Sequence, residues 1–329
     1  MNSMKTFSIV VPVYYNELNL PETIPQLLDF SKTLPDYRLE LVFVNDGSGD
    51  RSLEILLAFQ VDNPETIKVV NLTRNFGSMA AIQAGFTVVT GDCVGMISAD
   101  LQDPPELFHE MLKCWENGSK AIFAVRQNRE DSSLQKFFSN GYYSLIQRFA
   151  IQDYPNGGFD FFLVDRQVID QLNQIQEKNT NIMTLIHWLG YKSILIPYVR
   201  RSRKKGKSRW TMAKKIKLFI DTFVAFSYFP IRALSLIGLL VAIGSFLYGM
   251  FILFYWLTYG IPVQGYVPIM LTITFTSGIQ MTMLGVLGEY LWRTLDEVRR
   301  RPPFVIDEIY NTAQPEMNKD RQAGNVHER

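Results

Sequence analysis

The sequence predicts an α/β domain followed by a membrane hairpin, and three observations carry that prediction. Apolar, β-branched runs alternate with helix-spaced segments through the first 200 residues. From Ala233 to Gly288 there is no Asp, Glu, Lys, Arg or His. Lys and Arg crowd both flanks of that uncharged stretch and are missing from its middle.

The runs FSIVVPV (7–13), LELVFVN (39–45), IKVVNL (67–72), CVGMIS (93–98) and AIFAV (121–125) read as buried parallel strands. Between them, Leu20 to Thr33, Ser52 to Val61, Gly77 to Val89 and Pro105 to Asn117 have helical spacing. Strand and helix alternating at this length give an α/β sheet with right-handed crossovers. Ligands of such sheets collect at the carboxyl ends of the strands. There the chain places Tyr14, Tyr15, Asn16 and Glu17, then Asn45 to Ser48, then Asp100 to Asp103. No GxGxxG follows the first strand and no GxxxxGK[ST] occurs, which argues against both a dinucleotide site and a phosphate-cradling P-loop. Carboxylates stand where those folds use glycines, as in sites that contact base or ribose donors or hold a cation on phosphates. Asp46, in NDGS, also suits an Asx turn, but its position beside Asp100 at neighbouring strand ends favours function. Asp103, ahead of Pro104 and Pro105, reads as a helix N-cap. Asp165 reads the same way, as a cap and surface partner of Arg166.

The uncharged stretch is broken only by YGIPVQGYVP (259–268), giving two apolar runs of roughly 233–258 and 266–290. Each exceeds the ~20 residues that cross a bilayer. The basic flanks, Arg200 to Arg209 before and Arg293 to Arg301 after, put both termini in the cytoplasm. The expected divisions are a domain over 1–209, an interfacial helix over 210–229 with interleaved lysines and aromatics, the hairpin over 230–292, and a cytoplasmic segment over 293–329 with a disordered tail. Thr274, Thr276, Ser277, Gly278, Gln280 and Thr282 make the second span polar for a lipid-facing helix, from which a homo-oligomer is expected. The 33 basic and 32 acidic residues balance overall, so the run RRSRKKGKSR (200–209) is local. Beside a span it suits anionic headgroups or a phosphorylated substrate rather than nucleic acid. Cys93 and Cys114 lack metal-ligand spacing and read as buried thiols of a reducing compartment. The first apolar run, Phe7 to Val13, is too short for a signal peptide.

IVVPVYYNE (9–17), FVNDGSGD (43–50), TRNFG (73–77), ADLQDPPE (99–106) and LGEYLWR followed by RRPPF are similar, in order, to the motifs of one family. The chain resembles the family 2 glycosyltransferases of GT-A (Rossmann-like) fold that charge polyprenyl phosphate. Among them it is most similar to bacterial bactoprenol glucosyltransferases, relatives of dolichyl-phosphate mannose synthase. The resemblance implies that Pro12, Tyr14, Glu17, Asp46, Arg74 and Asp100 hold a sugar nucleotide. It also implies that Asp100 and Gln102 coordinate Mg2+ or Mn2+ on the diphosphate. The family's Asp-x-Asp is Ser98-Ala99-Asp100 here, so metal binding would rest on Asp100, Gln102 and the substrate phosphates. Arg126, Arg200, Arg203 and Ser208 are the candidates for gripping the acceptor phosphate, the last three within a family R-x-x-R-x-x-G-x-S pattern. Asp160, flanked by Gly157, Gly158 and aromatic residues, is assigned as a base or acceptor-positioning group. By likeness the reaction is a single inverting transfer, from UDP-glucose, at the bacterial plasma membrane. GDP-mannose as donor, a processive polysaccharide synthase and a non-catalytic membrane scaffold remain the alternatives.

Overall fold

The computed structural model describes residues 4–126, 147–148, 161–175, 177, 181–201, 229–259 and 265–311. The chain divides into two units, one of Met1–Tyr143, Tyr154–Lys215 and Pro302–Arg329, the other of Ser144–Asp153 and Ile216–Arg301.

In the first unit the strands are β1 (Lys5–Val13), β2 (Tyr37–Asn45), β3 (Ile67–Leu72), β4 (Cys93–Met96), β5 (Ala121–Arg126), β6 (Phe161–Asp165), β7 (Ser193–Tyr198) and β8 (Ile306–Tyr310). The helices are α1 (Leu20–Ser31), α2 (Ser52–Asp62), α3 (Ser78–Val88), α4 (Phe108–Glu116), α5 (Arg166–Leu172) and α6 (Ile182–Trp188). The sheet order is β7-β5-β6-β4-β1-β2-β3-β8. The first four strands are parallel, as expected, with β1 between β2 and β4. That makes the gap between β1 and β4 the place where the strand order reverses, and the polar loops expected to bind ligand lie beside it. Two strands depart from the parallel expectation: β6 runs antiparallel between β4 and β5, and β8 pairs antiparallel with β3.

Alternation along the central strands decides the two layers. Phe7, Ile9, Val11 and Val13 of β1 face the cluster formed with Leu20, Ile24 and Leu27 of α1, Leu56 of α2 and Phe108 of α4. Phe108 meets Phe7 and Phe161 edge to face at 5.0 and 4.7 Å. Gly95 is required beneath it, because a Cβ there would lie 2.4 Å from the Phe108 ring. On the opposite face Val10 and Val44 pack under α3.

That second face also carries a buried ion pair. Lys68 of β3 bonds Glu40 of β2 at 2.9 Å and the Val88 carbonyl at the end of α3 at 2.8 Å. Ser8 donates to the same carboxylate, as do the Thr90 N–H and hydroxyl at 2.8 and 3.0 Å. Burial alone raises the Glu40 pKa, but the bonds from Ser8, Thr90 and Lys68 outweigh it and hold the group below its ordinary value. A depressed carboxyl stabilises the fold fully above the unfolded-state pKa and loses that contribution as pH falls through the native value. Glu40→Ala, which strands Lys68, should cost about 3–5 kcal/mol. Urea unfolding at pH 7 and in mild acid tests this: the gap between wild type and variant must narrow on acidification.

In the second unit, α7 (Phe229–Tyr259) and α8 (Tyr266–Val298) are helices of 31 and 33 residues, covering both apolar runs. Among the described residues no helix is long and apolar enough to cross a membrane, and the side chains of α7 and α8 are described only in part. Thr276 and Thr282 bond back to the carbonyls of Thr272 and Gly278 at 2.8 and 2.9 Å. Their hydroxyls are therefore satisfied within their own helix and need no partner helix, which removes two residues from the argument for an oligomer. Residues 210–228 of the expected interfacial helix and the tail after Asn311 lie outside the described residues, and Phe229 opens α7.

Candidate active site

The loops after β1 and β2 are bonded to one another, the loop after β4 follows the strand on the other side of β1, and hydrogen bonds show what each residue does there. Tyr15 takes a left-handed backbone with φ 54°. The following N–H groups point across to the loop after β2: Tyr15 to Ser48 at 3.1 Å, Asn16 to Ser52 at 2.8 Å and Glu17 to Asp50 at 3.3 Å. Glu17 returns the bond, accepting from the Arg51 N–H at 3.1 Å. Glu17 thus fixes two loops to one another. Pro12 sits half-buried in β1 beside Val44, and Tyr14 packs edge to face on Tyr15 at 4.7 Å.

Asp46 is 2 % exposed and organises the TRNFG segment. Its carboxylate accepts from the Phe76 N–H at 2.7 Å, the Gly77 N–H at 3.0 Å and the Asn75 amide at 2.9 Å. Gly47, with φ 61°, lets this loop close, since a Cβ would stand 2.4 Å from the Arg74 carbonyl carbon. Arg74 is exposed, stacked over Phe76 at 4.3 Å. The Thr73 N–H bonds the Val305 carbonyl at 3.1 Å, so β8 braces the start of the same loop.

Asp100 is half-buried after β4, and the Ser98 hydroxyl donates to its Oδ1 at 2.8 Å. Ser98, standing where the family has a carboxylate, therefore serves Asp100 directly. Among the described residues no group of three or more His, Cys, Asp or Glu gathers as a metal cage. One carboxylate and the Gln102 amide oxygen suit a divalent cation shared with a substrate diphosphate, the arrangement Mg2+ commonly adopts.

The N-cap expected at Asp103 is a correction. The turn Pro105–Leu107 has no side-chain cap. Asp103 is instead fully buried and accepts from the Tyr198 hydroxyl at 2.5 Å and the Ser98 hydroxyl at 3.1 Å. Arg200 completes the cluster: its Nε lies 3.0 Å from Oδ1, not aligned for a hydrogen bond, and its Nη2 donates to Oδ2 at 3.3 Å. Burial pushes the Tyr198 phenol well above its usual pKa; the Asp103 charge adds to this and Arg126 partly opposes it. Parallel pairing of β5 with β7 sets Arg126 opposite Tyr198, so both described acceptor candidates converge on Asp103 and Tyr198. Arg201 anchors the next step, its N–H on the Gln102 carbonyl at 2.8 Å and its guanidinium on Glu106 at 3.1 Å. Asp165 does cap α5, through the Gln167 N–H at 3.0 Å, but Arg166 pairs with Asp170 instead. Asp160, Arg203 and Ser208 lie outside the described residues.

A doubly wound sheet with acidic loops at its switch point, and arginines bonded onto one of them, has the makings of a transferase for phosphorylated substrates. Residues 8–172 match the family described as glycosyl transferase family 2. The chain belongs to that family and is a glycosyltransferase. It is 36% identical to an uncharacterised glycosyltransferase, YkcC, of Bacillus subtilis (strain 168), over 96% of this chain and 97% of that one. It is 34% identical to the SfII prophage-derived bactoprenol glucosyl transferase of Shigella flexneri, over 91% and 96%. A solved glucosyl-3-phosphoglycerate synthase from Mycobacterium tuberculosis, with Mn2+ and UDP-glucose bound, is 14% identical with a TM-score of 0.46, over 66% of this chain and 78% of that one. At that distance the likeness carries no inference about ligands.

Proposed function

We propose that the protein transfers one sugar, glucose from UDP-glucose, to polyprenyl phosphate at the cytoplasmic face of a bacterial plasma membrane. The observation that carries this reading is the docking of Arg200 and Arg201 onto the Asp100–Glu106 loop, which makes a candidate diphosphate site and a candidate phosphate clamp one surface. The relatives named bactoprenol glucosyl transferase support the choice of acceptor and sugar. The two apolar runs of the uncharged stretch 233–288, each lying within a helix, of 31 and 33 residues, and flanked outside by Lys and Arg, support a two-span anchor.

A lipid monophosphate has a second pKa of about 6 and is largely ionised near neutral pH. Its oxygen attacks the anomeric carbon while the bond from that carbon to the diphosphate breaks, and the nucleoside diphosphate leaves. One displacement inverts the centre and needs little base catalysis, so Asp160 serves to position the acceptor. Arg126 and Arg200 orient the attacking phosphate through planar forks. Asp46 and Glu17 hold the loops that receive the nucleoside. Asp100 and Gln102 would hold Mg2+ or Mn2+, which when bound stabilises charge on the leaving diphosphate.

A donor panel on detergent-purified protein with polyprenyl phosphate tests the reading. UDP-glucose should give a lipid carrying one sugar, β-linked by NMR. A polymer, an α linkage or preference for GDP-mannose would each overturn the corresponding part. The anchor is tested by alkaline washing of membranes, and release of the protein would contradict the two spans.

A further inference from the structure

Asp103 has no part in the chemistry derived above, yet it is a fully buried carboxylate between the two halves of the site. On one side the Ser98 hydroxyl lies 3.1 Å from its Oδ2 and 2.8 Å from Asp100 Oδ1. That hydroxyl has one proton for two carboxylates, so it donates to one at a time, Asp100 being the nearer. On the other side Arg200 pairs with Asp103 through its Nε and Nη2 edge. A guanidinium carries five N–H donors, so a carboxylate on that edge leaves the Nη1 edge to meet a second anion. The Arg200 side chain is 26% exposed, against 1% for Asp103, so the pair presents its cation and hides its anion. Tyr198, opposite Arg126 on the paired strand, closes the cluster from below.

We propose that Asp103 is a positioning residue for transfer: buried beside the Asp100 turn, it fixes Arg200 for the acceptor phosphate. This rests on the acceptor reading given above. A side chain with three partners has few rotamers left, and arginine aimed in advance loses less freedom when it grips a phosphate. A neutral Ser98 suits this cluster where aspartate would not, because a third carboxylate beside Asp100 and Asp103 would repel both.

The test is a double-mutant cycle of Asp103→Asn and Arg200→Ala on detergent-purified full-length protein. Wild-type transfer to polyprenyl phosphate is measured first, and its absence would refute the acceptor reading rather than the role of Asp103. With wild type active, Asp103→Asn should raise acceptor KM or lower kcat about tenfold or more, with UDP-glucose affinity by calorimetry within about threefold. In the Arg200→Ala background the same change should cost about threefold or less, because the residue it acts through is gone. Equal costs in the two backgrounds, or loss of donor and acceptor binding together in step with Tm, would mark Asp103 as structural and overturn the proposal. Should Asp103→Asn fail to fold, Tyr198→Phe removes one donor from the same carboxylate. It should shift acceptor kinetics and leave donor affinity alone; unchanged acceptor kinetics would count against the proposal.

Discussion

Asp100→Ala is expected to reduce sugar transfer at least about a hundredfold. It removes the carboxylate assigned to the candidate cation, and losing a stabiliser of developing charge costs on the order of 3 kcal/mol or more. The fold should survive, because Asp100 is only half-buried, and it accepts locally from the Ser98 hydroxyl at 2.8 Å and the Gln102 N–H at 3.4 Å. EDTA should silence the wild type equally, and added Mg2+ or Mn2+ should restore it. Mn2+ binding followed by electron paramagnetic resonance should be weak alone, tighten with UDP, and vanish in the variant. Full activity after exhaustive metal removal would sink the assignment.

The second large effect is expected at Asp46. Asp46→Ala leaves the Phe76 and Gly77 N–H groups without their shared acceptor and cuts the Asn75 amide back to the main-chain carbonyl of residue 46 at 3.3 Å. Stranded donors cost about 1–3 kcal/mol each where buried, so the loop rearranges rather than tolerate them. Affinity for UDP should fall tenfold or more, and acceptor KM, set by residues elsewhere, should change little. Asp46→Asn keeps one oxygen and should be intermediate. Undiminished UDP affinity in Asp46→Ala would show that the Asn75–Gly77 loop is no part of the donor site.

Much of the first sheet was legible because local signals and the fold agree. Val and Ile runs ending in polar residues gave β1 to β4, whose ends match the expected ones within about two residues. The polar ends of β1, β2 and β4 could be placed side by side from topology rules alone. The antiparallel strands were not legible. FFLVD (161–165) looks like any apolar run, and its insertion between β4 and β5 is decided by long-range pairing. IDEIY (306–310) carries two acids and joins β3 from the far end of the chain. Asp103 was misread because two prolines beside it imitate a helix start, whereas its partners Tyr198 and Arg200 lie some 95 residues on. Glu17 and Asp46 were expected to contact a nucleotide; their work in holding loops emerges only from backbone N–H groups, which every sequence possesses alike.

The central claim is that one surface joins a sugar-nucleotide site to a phosphate clamp for a lipid acceptor. Its most direct measurement is transfer of radiolabel from UDP-glucose into solvent-extractable lipid by purified protein, with and without polyprenyl phosphate. The account predicts label in the lipid only when polyprenyl phosphate is present, one sugar per lipid, and UDP released in equal amount. UDP release with no labelled lipid, or label in lipid without added acceptor, would contradict it.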